Sequence, residues 1–157
     1  MSTSDMSVSV VVPCYNAEKF LDQCLSSIEA DPMKELEIIV LNDGSTDGSL
    51  AIMEAHAAGD ARVRVIDKAN QGYGATVNRG FDEARGEYVA VVEPDDYLKP
   101  GMFSALYQLA CKQDYPDVVK SSYWRVYMAD TPREHLYHCH YYRRVKPGCQ
   151  PFVLADA

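Results

Sequence analysis

Short runs of apolar, β-branched residues alternate along the chain with longer stretches whose apolar residues recur every three or four positions. Val8 to Val12, closed by Pro13, reads as a buried strand. Phe20, Leu21, Cys24, Leu25 and Ile28 then follow at helical spacing, so an amphipathic helix is predicted over about 17–30, capped by Asn16 and stopped by Asp31-Pro32. Glu37 to Leu41 predicts a second buried strand, with Asn42-Asp43-Gly44-Ser45 as the turn at its end. Ser45 to Ala58 supplies a second helix closed by Gly59, and Val63 to Ile66 a third strand. A glycine-bearing loop, 70–74, opens a third helix with Val77, Phe81 and Ala84 on one face. Tyr88 to Val92 is the fourth strand, and Pro100 suits the first turn of a fourth helix bearing Phe103, Leu106, Tyr107 and Ala110.

Four strand–helix alternations predict βαβ units, hence a three-layer α/β/α fold on a mostly parallel sheet. Parallel strands, joined by right-handed crossovers, place their carboxyl ends on one edge, where open α/β sheets bind ligands. The polar motifs all fall at that edge. Beyond Asp117 the pattern weakens. Residues 118–127 predict another strand, and 136–145, between the turn signals of 130–132 and 146–148, suit a strand or an ordered loop. The domain expected from the pattern spans 8–127, preceded by a disordered 1–7 and followed by an incomplete acceptor-side region, 128–157.

At 157 residues, with 47% hydrophobic and 24% charged content, the chain can bury a core as a soluble globular domain. No apolar run has the length of a membrane span, and 1–7 lacks the basic-then-apolar pattern of a secretory signal. A net charge of −8 disfavours nucleic acid as a partner and requires a cation if a phosphorylated ligand binds. Cys14, Cys24, Cys111, Cys139 and Cys149 show no paired spacing, as expected of free thiols in a reducing cytoplasm. Oligomeric state is not encoded in any of these features.

Four segments carry candidate chemistry. Glu93-Pro94-Asp95-Asp96 places three carboxylates within four residues, which repel one another unless a cation sits among them. Such oxygen donors suit Mg²⁺ or Mn²⁺, which also takes phosphate oxygens. A solvated acidic turn is the alternative. Asp43 can accept from a base or ribose, with Gly44 allowing a tight turn, whereas Ser45, Thr46 and Asp47 suit simple helix capping. The segment 72–80 places glycines before a helix N-terminus, which favours anions, with Arg79 as a source of positive charge; a plain strand-to-helix turn is the alternative. Tyr15 can stack on a base or serve as a satellite core aromatic. A zinc site at His135, His138, Cys139 and His140 is outweighed by a surface strand, whose adjacent residues alternate faces. A dinucleotide fingerprint is absent after the first strand, where Pro13-Cys14-Tyr15-Asn16 holds no glycine.

Together the stretches VSVVVPCYNAEKFL (8–21), EIIVLNDGSTDGS (37–49), NQGYGATVNRG (70–80) and GEYVAVVEPDDYLKP (86–100) resemble, in order and spacing, the family 2 glycosyltransferases of GT-A fold. The resemblance covers about 8–110. It implies a nucleotide-diphosphate sugar donor, most often UDP-linked, a glycan or glycolipid acceptor, and inverting transfer assisted by Mn²⁺ or Mg²⁺. By match, Pro13 and Tyr15 lie against the base and Asp43 hydrogen-bonds it. Gly72 and Asn78 line the donor pocket. Asp95 is the main metal ligand, with Asp96 supporting it or facing the donor sugar, and Glu93 stands where the family's D-x-D signature begins with Asp. The family's general base has no match among Asp130, Glu134 and Asp156, so the chain is expected to stop short of it, with the base beyond Ala157.

Overall fold

A computed structural model describes residues 6–127, 133–137 and 153–155. The chain divides into two compact units, Met1–Phe103 and Ser104–Ala157.

The first unit is a four-stranded parallel sheet of order β3-β2-β1-β4, formed by β1 (Val8–Cys14), β2 (Leu36–Asp43), β3 (Val63–Lys68) and β4 (Tyr88–Val91). Every residue of β1 and β2 is buried, as the continuous β-branched runs require of central strands covered on both faces. The β4 residues alternate between half-buried and exposed. The crossovers from β1 to β2 and β2 to β3 run in one direction and carry α1 (Glu18–Glu29) and α2 (Ser49–Gly59), which pack together. The return from β3 to β4 carries α3 (Tyr73–Glu83), which packs on β1 and β2. Right-handed crossovers put α1 and α2 on one face of the sheet and α3 on the other. This is the expected α/β/α layering.

Polar side chains fix the layers. His56 of α2 bridges Glu29 (2.7 Å) and Asp22 (3.2 Å) of α1. Arg62 donates to the carbonyls of Glu29, Asp31 and Met33, closing the end of α1, while its Nε and Nη2 also donate to Asp60. These bonds supply the carbonyl partners that a helix end otherwise lacks.

On the opposite face, alternate β2 residues Glu37, Ile39, Leu41 and Asp43 run beneath α3. Ile39 and Leu41 join Val11 in a core that includes Ile66 and Ala84. Glu37 accepts the Arg85 backbone N–H (2.6 Å) just beyond one end of α3, and Asp43 accepts those of Gln71 (2.8 Å) and Gly72 (2.9 Å) just before the other. Six strand steps and thirteen helix steps both span about 20 Å, so one strand face holds a whole helix by its ends.

Several local expectations change. Asn16 does not cap α1, whose N-cap is Ala17; it takes a positive φ of 52° and accepts from the Thr46 N–H instead. Ser45 and Thr46 precede α2, which begins only at Ser49, and the fourth helix begins at Met102, after Gly101 rather than at Pro100. The buried face of α3 is Thr76 and Gly80, while Phe81 is 48% exposed. Large apolar residues misplace this face because α3 lies too close to β1 for anything larger than glycine at position 80.

The helix α4 (Met102–Lys112) begins at the end of the first unit and continues into the second, where β5 (Val119–Ser121) pairs in parallel with β8 (Val153–Ala155) and β6 (Tyr123–Tyr127) pairs antiparallel with β7 (Arg133–Tyr137). The single strand expected over 118–127 is therefore broken at Ser122, and the element expected over 136–145 is described only to Tyr137. Residues 1–5, Asp130, His138, Cys139, His140, Cys149 and Asp156 lie outside the described residues.

Candidate donor-binding site

Four loops meet the carboxyl edge of the sheet, one after each strand. The loops after β1 and β2 are stitched together. Asn16 N–H donates to Ser45 Oγ (3.0 Å), Ala17 N–H to Ser49 Oγ (3.0 Å) and Glu18 N–H to Asp47 Oδ2 (3.2 Å). In return, Thr46 N–H donates to Asn16 Oδ1 (2.8 Å) and Gly48 N–H to Glu18 Oε2 (2.6 Å). The hydroxyls and carboxylate of Ser45-Thr46-Asp47-Gly48-Ser49 thus satisfy the N-terminus of α1, the neighbouring helix, as well as their own. This rigid pair of loops leaves Tyr15 55% exposed just beyond buried Pro13.

Asp43, the residue expected to hydrogen-bond the base, lies at the buried end of β2. It is 3% exposed, and its carboxylate is bonded to Lys68 Nζ and to the N–H groups of Gln71 and Gly72. Burial alone would raise this carboxyl, but hydrogen bonds from Lys68, the Gln71 N–H, the Thr76 hydroxyl and the Gly72 N–H outweigh it and hold it below the usual carboxylate range. The anion at the N-terminus of α3 is therefore Asp43 itself, stabilised by the helix end. Gly72 is exposed at φ 87°, and Asn78 is exposed farther along α3. Arg79 pairs with Glu83 four residues on (2.6 Å), so its charge is spent along the helix rather than at its N-terminus.

The acidic segment is a β-turn with Pro94 at its second position, closed by Asp96 N–H to the Glu93 carbonyl (3.0 Å). Cys24 Sγ (3.5 Å) donates to that same carbonyl, and Leu98 N–H donates to Ser27 Oγ (2.9 Å), tying the turn to α1. The turn leaves Asp95 and Asp96 exposed. Glu93, half-buried, accepts the phenol hydroxyl of Tyr73 from the first turn of α3. Loss of solvent and the adjacent charges of Asp95 and Glu93 raise the Asp96 carboxyl above its ordinary value. The loop following β3 therefore reaches Asp43 on one side and the acidic turn on the other. Two of its anchors, Lys68 and Tyr73, escaped the sequence reading. Lys68 was findable: aligning β2 with β3 makes it the cross-strand partner of Asp43.

The sequence matches the family described as glycosyl transferase family 2 over residues 9–153. The chain belongs to that family. Among its relatives, the uncharacterized glycosyltransferase EpsJ of Bacillus subtilis is 40% identical over 118 residues, covering 75% of this chain and 34% of EpsJ. The glycosyltransferase GlyG of Streptococcus pneumoniae is 42% identical over 118 residues, covering 74% of this chain and 39% of GlyG. In three dimensions the chain is similar to S. aureus TarS 1–349 in complex with UDP-GlcNAc. The TM-score is 0.71 at 29% identity, covering 82% of this chain and 37% of the other. The chain thus spans little more than a third of the length of these relatives. The likeness identifies the sheet and its helices as the GT-A arrangement.

The donor set of this family 2 domain fits a hard cation, though not as a closed cage. Among the described residues, no group of three or more His, Cys, Asp or Glu side chains is placed to hold a metal ion. Asp95 and Asp96 are exposed and mutually repelling, which suits Mg²⁺ or Mn²⁺ held by one or two carboxylates, with phosphate and water completing the sphere. No described helix is long and apolar enough to cross a membrane.

Proposed function

We propose that the chain is the donor-binding portion of a glycosyltransferase that moves a hexose from a UDP-linked sugar to an acceptor hydroxyl with inversion. The observation that carries this reading is the loop after β3, bonded both to Asp43 and, through Tyr73, to Glu93 of the acidic turn. It supports a nucleotide site between the base-side loops and the diphosphate-side carboxylates. TarS, a structural relative, binds UDP-GlcNAc.

In this reading Pro13 and Tyr15 flank the base, and Gly72 and Asn78 line the pocket. Asp43 shapes the pocket from beneath through the turn it holds. Asp95, supported by Asp96, holds Mn²⁺ or Mg²⁺, and Glu93 faces the ribose or the metal. A bound cation would neutralise charge developing on the leaving diphosphate. The acceptor oxygen bonds to the anomeric carbon as the bond to the diphosphate oxygen breaks, and the acceptor proton passes to a base. The acceptor is a glycan or glycolipid, and the role is cell-surface polysaccharide or glycoconjugate synthesis in the cytoplasm, at the inner face of the membrane.

Titration calorimetry with UDP, with and without Mn²⁺, tests the reading. Binding that strengthens with Mn²⁺ is expected, and no affinity for UDP in either condition would overturn it. Donor hydrolysis and sugar-transfer assays then separate an active transferase from a donor-binding module lacking its base.

A further inference from the structure

We propose that Lys68 is a positioning residue for nucleotide binding, neutralising Asp43 so that this buried carboxylate can hold the 69–72 turn in its receiving shape. The inference rests on the donor-site reading above.

Lys68 and Asp43 are cross-strand partners at the ends of β3 and β2, with side chains 14% and 5% exposed. The ammonium contacts Asp43 Oδ1 and also donates to the Ala69 carbonyl (3.1 Å), the first bond of the turn. The carboxylate passes that restraint on to Gln71 and Gly72. Gly44 completes the shelf. It adopts φ 69°, and a Cβ there would lie 2.8 Å from Asn70 N, so the turn rests directly on backbone. The turn itself needs Gly72 at φ 87°. Asp43, Gly44 and Lys68 thus converge on a segment of four residues.

Among the described residues, the arginines of the sheet unit are engaged with other carboxylates: Arg62 with Asp60, Arg64 and Arg79 with Glu83, and Arg85 with Glu37. Without Lys68, Asp43 would be an unpaired buried charge. It would then take a proton or turn towards water. A protonated carboxyl presents a hydroxyl, so one oxygen faces the Gln71 or Gly72 N–H as a donor and that bond is lost. Either outcome releases the turn while leaving the sheet intact.

A purely structural ion pair would change stability without specifically changing ligand affinity. The test is UDP titration in the presence of Mn²⁺ on wild type, Lys68→Met, Lys68→Arg and Arg62→Met, each below its own melting transition. Arg62 serves as the control because it precedes β3, about 20 Å from the turn that follows the strand. Lys68→Met is expected to bind UDP at least about tenfold more weakly, the scale of losing a group that orients a ligand-holding element. Lys68→Arg, which keeps the charge, should stay within about threefold, and Arg62→Met, though destabilised, within about twofold. A Lys68→Met affinity within about twofold of wild type overturns the proposal, as does equal weakening by Arg62→Met. Should Lys68→Met not fold, amide exchange of Gln71 and Gly72 in wild type decides. Protection that persists with UDP bound supports the role, and protection lost on binding refutes it. If wild type shows no UDP affinity, the donor-site reading falls and this inference with it.

Discussion

Gly80 is where α3 meets the sheet, and its replacement by alanine pits two effects of known size against each other. A Cβ at position 80 would lie 2.3 Å from Val11 Cγ1, 3.0 Å from Cγ2 and 3.2 Å from Cβ. Apolar carbons rest about 3.5–4.0 Å apart, so an overlap above 1 Å must be relieved. Val11 is fully buried, belongs to the core with Ile39 and Leu41, and is stiff about χ1. It has nowhere to go, and α3 must lift instead. Helix propensity favours alanine by about 1 kcal/mol. Overpacking a filled core costs about 1–3 kcal/mol, and an overlap this deep against a central strand belongs at the upper end. Gly80→Ala should therefore be destabilised by roughly 1–2 kcal/mol, despite placing a better helix former in a helix.

Urea unfolding followed by circular dichroism measures this directly, with a lower midpoint expected at unchanged slope. Lifting α3 also strains its bonds to Asp43 and Glu37, so UDP affinity should fall with stability. The cycle with Val11→Ala isolates the cause, because removing both γ-methyls removes the two closest overlaps and leaves only the tight 3.2 Å approach to Cβ. The double variant should exceed the sum of the singles by at least about 1 kcal/mol. A Gly80→Ala protein as stable as wild type, or a cycle without coupling, would refute the reasoning.

Acid should unfold the sheet unit through named groups. Asp43, Glu37 and Asp60 all have carboxyls held below their ordinary values in the folded chain. The stability they contribute is complete above the ordinary carboxylate range, about pH 4, and is lost as pH falls through their lower folded values. Urea midpoints at stepped pH should therefore drop on the acid side; a flat profile would contradict these bonds. Asp96 has the opposite sign, its carboxyl being raised, so in metal-free buffer at neutral pH Asp96→Asn should gain a few tenths of a kcal/mol while Mn²⁺-dependent UDP binding weakens. Cys24, buried and pushed up to about 12, and Cys14, also raised, should resist alkylation in the folded chain while exposed Cys111 reacts. Peptide mapping after brief iodoacetamide treatment checks the order.

Periodicity made the layers legible because β1 and β2 are buried on both faces and so read as unbroken apolar runs. It failed on α3, where close approach selects Thr76 and Gly80 rather than large residues for the inner face. The acidic turn and Asp43 were visible as charges at strand ends. Apart from Lys68, which strand register sets against Asp43, their partners were not, because hydrogen bonds between loops depend on reach rather than on local composition. Asn16 shows the limit clearly. A residue type suited to capping its own helix instead binds Thr46, on a loop about thirty positions away in sequence.

The family's acidic signature begins with Asp, and this chain has Glu93. The structure gives the longer side chain a task, since its carboxylate accepts the Tyr73 hydroxyl. Shortening it by one methylene withdraws the oxygens by about 1.5 Å, enough to break that bond. Tyr73 is 57% exposed and packs little, so Tyr73→Phe should change stability by less than about 0.5 kcal/mol. Its effect on UDP–Mn²⁺ affinity should be a loss of several-fold, because an unrestrained Glu93 no longer points one way. If Tyr73 acts by orienting Glu93, that loss should disappear in a Glu93→Asp background, where the bond is already gone. Losses that simply add would show that Tyr73 meets the ligand directly and that the longer residue at 93 is incidental.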